Sequence, residues 1–275
     1  MSIVNSIINV INEKANTIDV VDIIGTIAYT SNNKYSANTV SSVEVVNNLR
    51  NILEDESTNH VVVFYINSPG GTAAAGEEIA MMINKLRRKN IKTVATIGDT
   101  GCSAAYLIAS QCDIIFANRM SILGSIGVLM PIPNVSALSD KLGIKVQYLK
   151  AGKMKDIGNM FREMTEEERD YIEQLLKESH ADFIKMVRSR RDIEDDNMFD
   201  GRFVTAKIAM EKNLIDKYGN SDDAIEYVIN ELLKTERKNV KIKSYHKKKS
   251  ILQYVFQSFD LIPEILTNKI SHVIS

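Results

Sequence analysis

The run Val61-Val62-Val63-Phe64-Tyr65-Ile66 restricts the possible folds of this chain more than any other stretch. All six residues are β-branched or aromatic, and none offers a polar face. A strand with one side in water alternates; an unbroken run of this kind is buried on both sides, as in a parallel sheet covered by helices. Asn67-Ser68-Pro69-Gly70-Gly71 then stops it, because Pro and Gly punctuate regular structure. Similar signals flank it. Val20 to Ile24 reads as a strand ending at Gly25, and residues 30–36 as a polar loop. Val43, Val46, Leu49 and Leu53 have helical spacing. Ala73 to Lys89 reads as a helix with Ile79, Met82, Ile83 and Leu86 on one face. A strand over 93–97, a helix over 104–110 and a strand over 113–117 follow. Strands alternating with helices predict an α/β fold with right-handed crossovers. Ligands in open sheets of this kind sit at the carboxyl ends of the strands. Residues 68–71 and 98–103 both fall there, so the two loops are expected to meet at one site.

Further along, Val146 to Leu149 reads as a short strand and residues 151–162 as a polar stretch. Thr165 with Glu168 forms the pattern of a capping box that opens a helix to about Arg190. Residues 205–213 and 222–233 read as helices, and no repeat with a period of 20–50 residues is found. The sequence divides into an amphipathic arm over 1–17, a globular domain over 18–233, and a basic linker with an amphipathic tail over 234–275. The arm, with Ile3, Val4, Ile7, Ile8 and Ile11 at helical spacing, and the tail are read first as packing or oligomerisation segments, and second as membrane-surface elements.

Composition removes several classes of function. With 275 residues and 44% apolar content, the chain can bury a sizeable core. Thirty-four Lys and Arg balance 35 Asp and Glu, so overall charge does not suit a nucleic-acid partner. Two cysteines and four histidines exclude a disulfide scaffold and leave no Cys/His zinc module. No window of 18 apolar residues marks a spanning helix, and the first residues do not read as a signal peptide. A cytoplasmic or peripheral membrane location is expected.

Ser103 lies in Gly101-Cys102-Ser103-Ala104-Ala105, between a strand and a helix. Small neighbours allow close approach, and the free amides of a helix start favour developing negative charge. The Gly70-Gly71 pair can turn its amides outward to hold an oxyanion. A serine nucleophile also needs a base. His60, His180, His246 and His272 are poorly placed in the sequence. A lysine base must be neutral: a free lysine titrates at about 10.4, so activity near neutral pH requires about 4 kcal/mol of differential interaction, which burial can supply. Lys150, Lys153 and Lys155 are candidates that the residues alone do not separate.

A set of motifs follows in order along the chain: Ile66-Asn67-Ser68-Pro69-Gly70-Gly71, Ser103-Ala104-Ala105-Tyr106, Gly124-Ser125-Ile126-Gly127-Val128, Leu142-Gly143-Ile144, Lys150 to Gly158, Met164-Thr165-Glu166-Glu167-Glu168 and Asp200-Gly201-Arg202-Phe203-Val204-Thr205. The chain resembles the signal peptide peptidase A family, serine-lysine peptidases related in fold to Clp protease and the crotonases. The resemblance covers about residues 20–233. It implies a Clp/crotonase-like α/β fold of repeated β-β-α units, with a parallel sheet flanked by helices. It implies Ser103 as nucleophile, Lys155 as general base and Ser125 as a serine that orients the lysine. Gly70, Gly71 and Ala104 match the oxyanion hole, with either glycine as donor. No cofactor and no metal are implied. The expected function is a serine endopeptidase acting on small or unfolded peptides such as signal peptide remnants. In short family forms the two catalytic residues come from neighbouring protomers, so a homo-oligomer with shared sites is expected. Where the family usually has Gly-Gly after the nucleophile, this chain has Ala104-Ala105, and the added methyl groups are expected to narrow the site. The alternatives are a crotonase-like thioester enzyme, which needs no dyad, and a non-catalytic assembly protein of the same fold.

Overall fold

The computed structural model describes residues 15–30, 39–55 and 58–245. The expectations for the segment 3–11, for most of the loop 30–36, for His246 and His272, and for the apolar tail lie outside the described residues.

Five strands form the middle of the sheet: β1 (Ala15–Ile24), β4 (Thr58–Ser68), β5 (Lys92–Cys102), β6 (Ile114–Ala117) and β7 (Ile122–Gly124). β1, β4, β5 and β6 are parallel neighbours in that order. Two short strands, β2 (Thr26–Ala28) and β3 (Thr39–Ser41), pair in parallel as a separate ribbon. The predicted helices appear as α1 (Ser42–Glu54), α2 (Ala73–Arg88) and α3 (Ala104–Ser110). The fold is therefore the expected α/β class, with a mostly parallel sheet between helices.

Residues 61–66 behave as their composition requires. Val62, Phe64 and Ile66 point into a core closed by Leu49 and Ile52 of α1, Ile79, Ile83 and Leu86 of α2, and Ala105 and Tyr106 of α3. Val61 and Val63 point the other way, onto Val94, Phe116 and the residues Ala224, Val228 and Ile229. Those last residues lie in α7 (Ser221–Tyr227) and the π-turn that continues it. Truncating a buried residue such as Phe64 to alanine would cost ~3–5 kcal/mol, a large part of the ~5–15 kcal/mol that stabilises a domain. The strand beneath the candidate site is thus also its foundation.

β5 is long enough to serve two partners. Its first half pairs with β6, and residues 100–102 pair with β7. Ser121 bridges the change of partner by donating to the carbonyl of Ile97 at 3.3 Å and to that of Gly98. β7 pairs with β8 (Phe203–Thr205), its one antiparallel neighbour, and β8 leads into α6 (Ala206–Glu211). β9 (Lys217–Tyr218) closes the far edge against β6.

Two expectations need correction. Residues 146–149 form no strand; they lie in an exposed stretch where Leu149 is 91% accessible. The segment after Lys234 is not all linker: β10 (Val240–Tyr245) pairs in parallel with β1 from Asn16↔Val240 to Val21↔Tyr245. Its pattern Val240-Lys241-Ile242-Lys243 is a two-residue alternation hidden inside a basic run. Lysines on an edge strand are a common guard against further pairing. Asp19, fully buried in β1, ties the edge together: it pairs with His60 Nδ1 at 2.6 Å and accepts from the Tyr245 hydroxyl at 3.3 Å.

Residues 128–163 form an arm that leaves the sheet after β7 and returns before α5 (Glu166–Arg188). It folds on itself around α4 (Ser136–Lys141), with the Val135 amide donating to Met160 O at 2.7 Å. No described helix is long and apolar enough to cross a membrane.

Candidate active site

Ser103 is the first residue beyond β5 and the N-cap of α3. Its backbone sits at φ 53°, ψ −125°. A non-glycine residue at positive φ is held there only where the surroundings over-determine it. The surroundings here are specific. The Ser103 amide donates to Gly124 O at 2.8 Å, and its carbonyl accepts from the Leu107 amide at 3.0 Å. The sharp turn puts a half-exposed hydroxyl between a buried strand and a buried helix.

Ser125 is built the same way. Cys102 pairs with Gly124, so Ser103 and Ser125 each come one residue after a matched pair. Ser125 has φ 51°, and its amide donates to Arg202 O at 2.8 Å. One residue further, Ile126 O accepts from His180 Nε2 at 3.1 Å. His180, which helix periodicity placed in an amphipathic helix, thus supports the Ser125 turn through the backbone. No hydrogen bond joins it to Ser103.

The glycine pair lies directly against the serine. A Cβ built on Gly70 would stand 2.7 Å from Ser103 Cβ, 2.8 Å from Cys102 O and 3.1 Å from Ala104 N. Gly71 bridges to Ile27 of β2, and a Cβ there would stand 1.9 Å from Ile27 O. The two glycines differ in their amides. That of Gly70 donates to Ser68 Oγ at 3.1 Å. Among the described residues, the amides of Gly71 and Ala104 donate to no protein group.

Ala104 and Ala105 are 2% and 0% exposed. The Ala104 methyl points at Gly76 of α2, where an added Cβ would approach it to 2.8 Å. The methyls therefore fill a helix-helix contact and do not narrow the site, contrary to the expectation from sequence. The glycine that allows the contact, Gly76, was not singled out; the signal was its place three residues into α2.

Cys102 faces away from this turn, with Sγ 3.7 Å from Ile122 O. Burial pushes its thiol up, which suits a packed thiol and not a nucleophile. Cys112 is fully buried and raised further, again by burial. His60 is inside β4 and 5% exposed, with its ring held by Asp19. It does not reach the site.

Lys155 lies in the turn 152–158 of the arm, its amide donating to Gly152 O at 3.2 Å. Its side chain is exposed and makes no hydrogen bond or ion pair with a described residue, Ser103 included. One chain thus brings together Ser103, Ser125, Gly70, Gly71 and Ala104, and carries Lys155 on a separate arm. Among the described residues, no cluster of three His, Cys, Asp or Glu has metal-binding geometry.

A profile of peptidase family S49 matches residues 85–234, just over half of the chain. The chain belongs to peptidase family S49. The match contains Ser103, Ser125 and Lys155, while Gly70 and Gly71 precede it. Among curated relatives, a putative protease of Methanocaldococcus jannaschii is 36% identical over 182 residues, covering 65% of this chain and 58% of the relative. A putative signal peptide peptidase SppA of Enterococcus faecium is 30% identical over 206 residues, covering 74% and 60%. A probable protease SohB of Haemophilus influenzae is 28% identical over 243 residues, covering 88% and 64%. The chain thus spans about three fifths of the length of these family S49 relatives. A solved structure of a mutant 1510-N membrane-bound stomatin-specific protease aligns with a TM-score of 0.49 at 13% identity, covering 85% of this chain and 99% of that one.

Proposed function

We propose that this family S49 chain is a serine endopeptidase in which Ser103 is the nucleophile and Lys155 the general base. The observation that carries the reading is the strained turn of Ser103 beside two free amides, those of Gly71 and Ala104. Attack of Ser103 Oγ on a peptide carbonyl puts negative charge on the carbonyl oxygen. Two amides fixed beforehand stabilise that charge without reorganisation, and losing one such donor typically costs 10²–10³ in kcat. Gly71 is the donor we assign, because the Gly70 amide is occupied. The lysine amine takes the serine proton and returns it to the leaving amine. Water then releases the acyl-enzyme by the same route. Ser125, beside Ser103, is placed to orient the amine.

The base is supplied by a second copy of the chain. The arm that carries Lys155 also exposes Leu129 (81%), Leu149 (91%), Met130, Leu138, Leu142, Ile144 and Tyr148. Such a concentration of apolar surface marks an interaction site. A neighbouring protomer seated on it would cover the surface and bring the amine to a serine. Peptides in extended form, including the signal peptide remnants that the name SppA points to, are the substrate class. Exposed Phe203, opposite Gly124 in β8, offers an apolar contact beside the site.

The test is turnover of a fluorogenic peptide. Ser103→Ala and Lys155→Ala each abolish it while the protein stays folded; surviving turnover in either sinks the reading. Co-assembly of the two dead variants restores about one quarter of wild-type activity, the share of sites that draw an intact serine and an intact lysine from adjacent copies in a random mixture. No restoration would place both residues in one copy. The crotonase-like alternative predicts that Lys155→Ala keeps its activity on thioesters.

A further inference from the structure

A lysine base has to hold its amine without a proton, and the surest way to keep a proton on an amine is to place a carboxylate beside it. The arm around Lys155 is full of carboxylates, yet those with partners are turned elsewhere. Asp156, the next residue, accepts from Lys150 Nζ and from Arg162 Nε at 3.1 Å. Glu163 accepts from Asn134 Nδ2 at 2.8 Å. Glu167 is paired with Lys153. Glu168 takes both guanidinium nitrogens of Arg162, at 2.8 and 2.5 Å, and the Thr165 amide at 3.0 Å. Glu166 and Asp140, also on the arm and the first turn of α5, are exposed, as are the cations Lys141 and Lys145.

Arg162 is the centre of this arrangement. Besides its two carboxylates, it donates to the carbonyls of Asp156 at 3.3 Å and Glu163 at 3.0 Å. The side chains of Asp156 and Glu168 are only 9% and 5% exposed. One guanidinium thus fastens the 152–158 turn to the first turn of α5, whose far end packs into the core through Phe183 and Val187. Lys155 is the one lysine of the Lys150-Lys153-Lys155 set that this web leaves without a partner.

We propose that Arg162 is the positioning residue of Lys155: by occupying Asp156 and Glu168 together, it fixes the turn on α5 and keeps both carboxylates off the amine. The inference rests on the assignment of Lys155 as base. Both carboxylates are nearly buried, so a purely structural role predicts a loss of thermal stability and an activity loss spread evenly over pH. A role in governing the amine predicts an effect concentrated at low pH.

The experiment measures kcat and KM for a fluorogenic peptide from pH 6 to 10, with the full chain and with Arg162→Gln, Arg162→Lys and Asp156→Asn. Thermal unfolding is recorded for each. In Arg162→Gln the released carboxylates turn to Lys155. The acid limb of kcat then moves up by about one pH unit, with a loss of roughly tenfold near neutrality, little change in KM and recovery at high pH. Asp156→Asn loosens the turn but removes a carboxylate, so kcat falls without an upward move of the limb. Arg162→Lys keeps the charge with fewer contacts and gives a smaller upward move. A folded Arg162→Gln with an unmoved limb overturns the inference; if that variant does not fold, an unmoved limb in Arg162→Lys does so. Turnover surviving in Lys155→Ala brings down both the base assignment and this inference. Inactive Lys155→Ala with an unmoved limb in the Arg162 variants brings down this inference alone.

Discussion

At the scale of single residues, the site depends on positions where a methyl group decides the outcome. Gly71 is the clearest. Its missing Cβ is what lets the chain lie against Ile27 O, and a Cβ at 1.9 Å has no room without moving backbone. Gly71→Ala is expected to lower kcat by at least about 100-fold, as loss of one oxyanion donor does, because the amide must shift with the strand. Stopped activity with unchanged fluorogenic-substrate binding is the expected readout; wild-type kcat would remove Gly71 from the oxyanion hole. Ala104→Gly tests the opposite point. Its methyl packs on Gly76, so removal is expected to cost ~1–2 kcal/mol of stability, the helix penalty of glycine together with the lost buried methyl. It should leave the preference among peptides of different bulk unchanged, and a widened preference would show that the methyl borders the substrate after all. Ser103 and the glycine pair could be singled out as small residues at strand ends, whereas Ser125 came from the family resemblance alone. Which glycine donates was not legible, because it depends on Ser68 Oγ occupying one amide, and that contact has no sequence signature.

At the scale of elements, the helices over 42–54, 73–88 and 104–110 were read almost to the residue, whereas α4, six residues long, was not read. Thr165 and Glu168 form the capping box that their spacing announced. Glu168 also holds Arg162, which periodicity does not reveal. Strands with long apolar runs were placed but shortened, β1 read from Val20 and β5 ended at Ile97, whereas β7, β8 and β9, with two or three residues each, carry too few side chains to show a period. The arm defeats sequence reading for a different reason: its apolar residues suggest a buried strand over 146–149, yet within one chain they face outward. The carboxylates that hold the arm give it a pH dependence. Arg162 holds the Asp156 carboxyl well below the ordinary carboxylate range and keeps that of Glu168 at about 2. A carboxyl whose folded value is depressed contributes stability that is fully present above the unfolded value, about 4, and is lost as pH falls through the folded value. The arm is therefore expected to stay fastened from about pH 5 upward and to loosen toward pH 2. Amide hydrogen exchange over residues 150–168 would show this as protection lost in that range before the sheet exchanges. Equal protection at pH 2 and pH 6 would contradict it.

At the scale of the whole molecule, the proposed function takes the serine from the sheet and the lysine from the arm of a neighbouring copy, so under that proposal a single copy is incomplete. Leu149→Asp, at a 91% exposed position away from any described partner, is expected to leave the fold of the single chain intact. It should shift the protein toward monomer in size-exclusion chromatography and remove most peptide turnover. A monomeric variant with full turnover would argue for a site completed within one chain. The parallel sheet of the central strands followed from the sequence because each βα unit is local. The pairing of β1 with β10 did not follow, since their first matched residues, Asn16 and Val240, stand at opposite ends of the described chain. Nothing local announces such a partner; only the buried Asp19, with His60 on one side and Tyr245 on the other, marks the join.

That join has a bearing on how the protein is made. A ribosome delivers β10 more than two hundred residues after β1, so that border of the growing sheet stays unsealed until β10 emerges. Long-range parallel pairing of this sort forms late and slowly, and an open border can recruit strands from other nascent chains. The lysines alternating along β10 then protect the border only after β10 has docked, and polysomes crowded with unfinished copies are where this chain would be most exposed to mispairing.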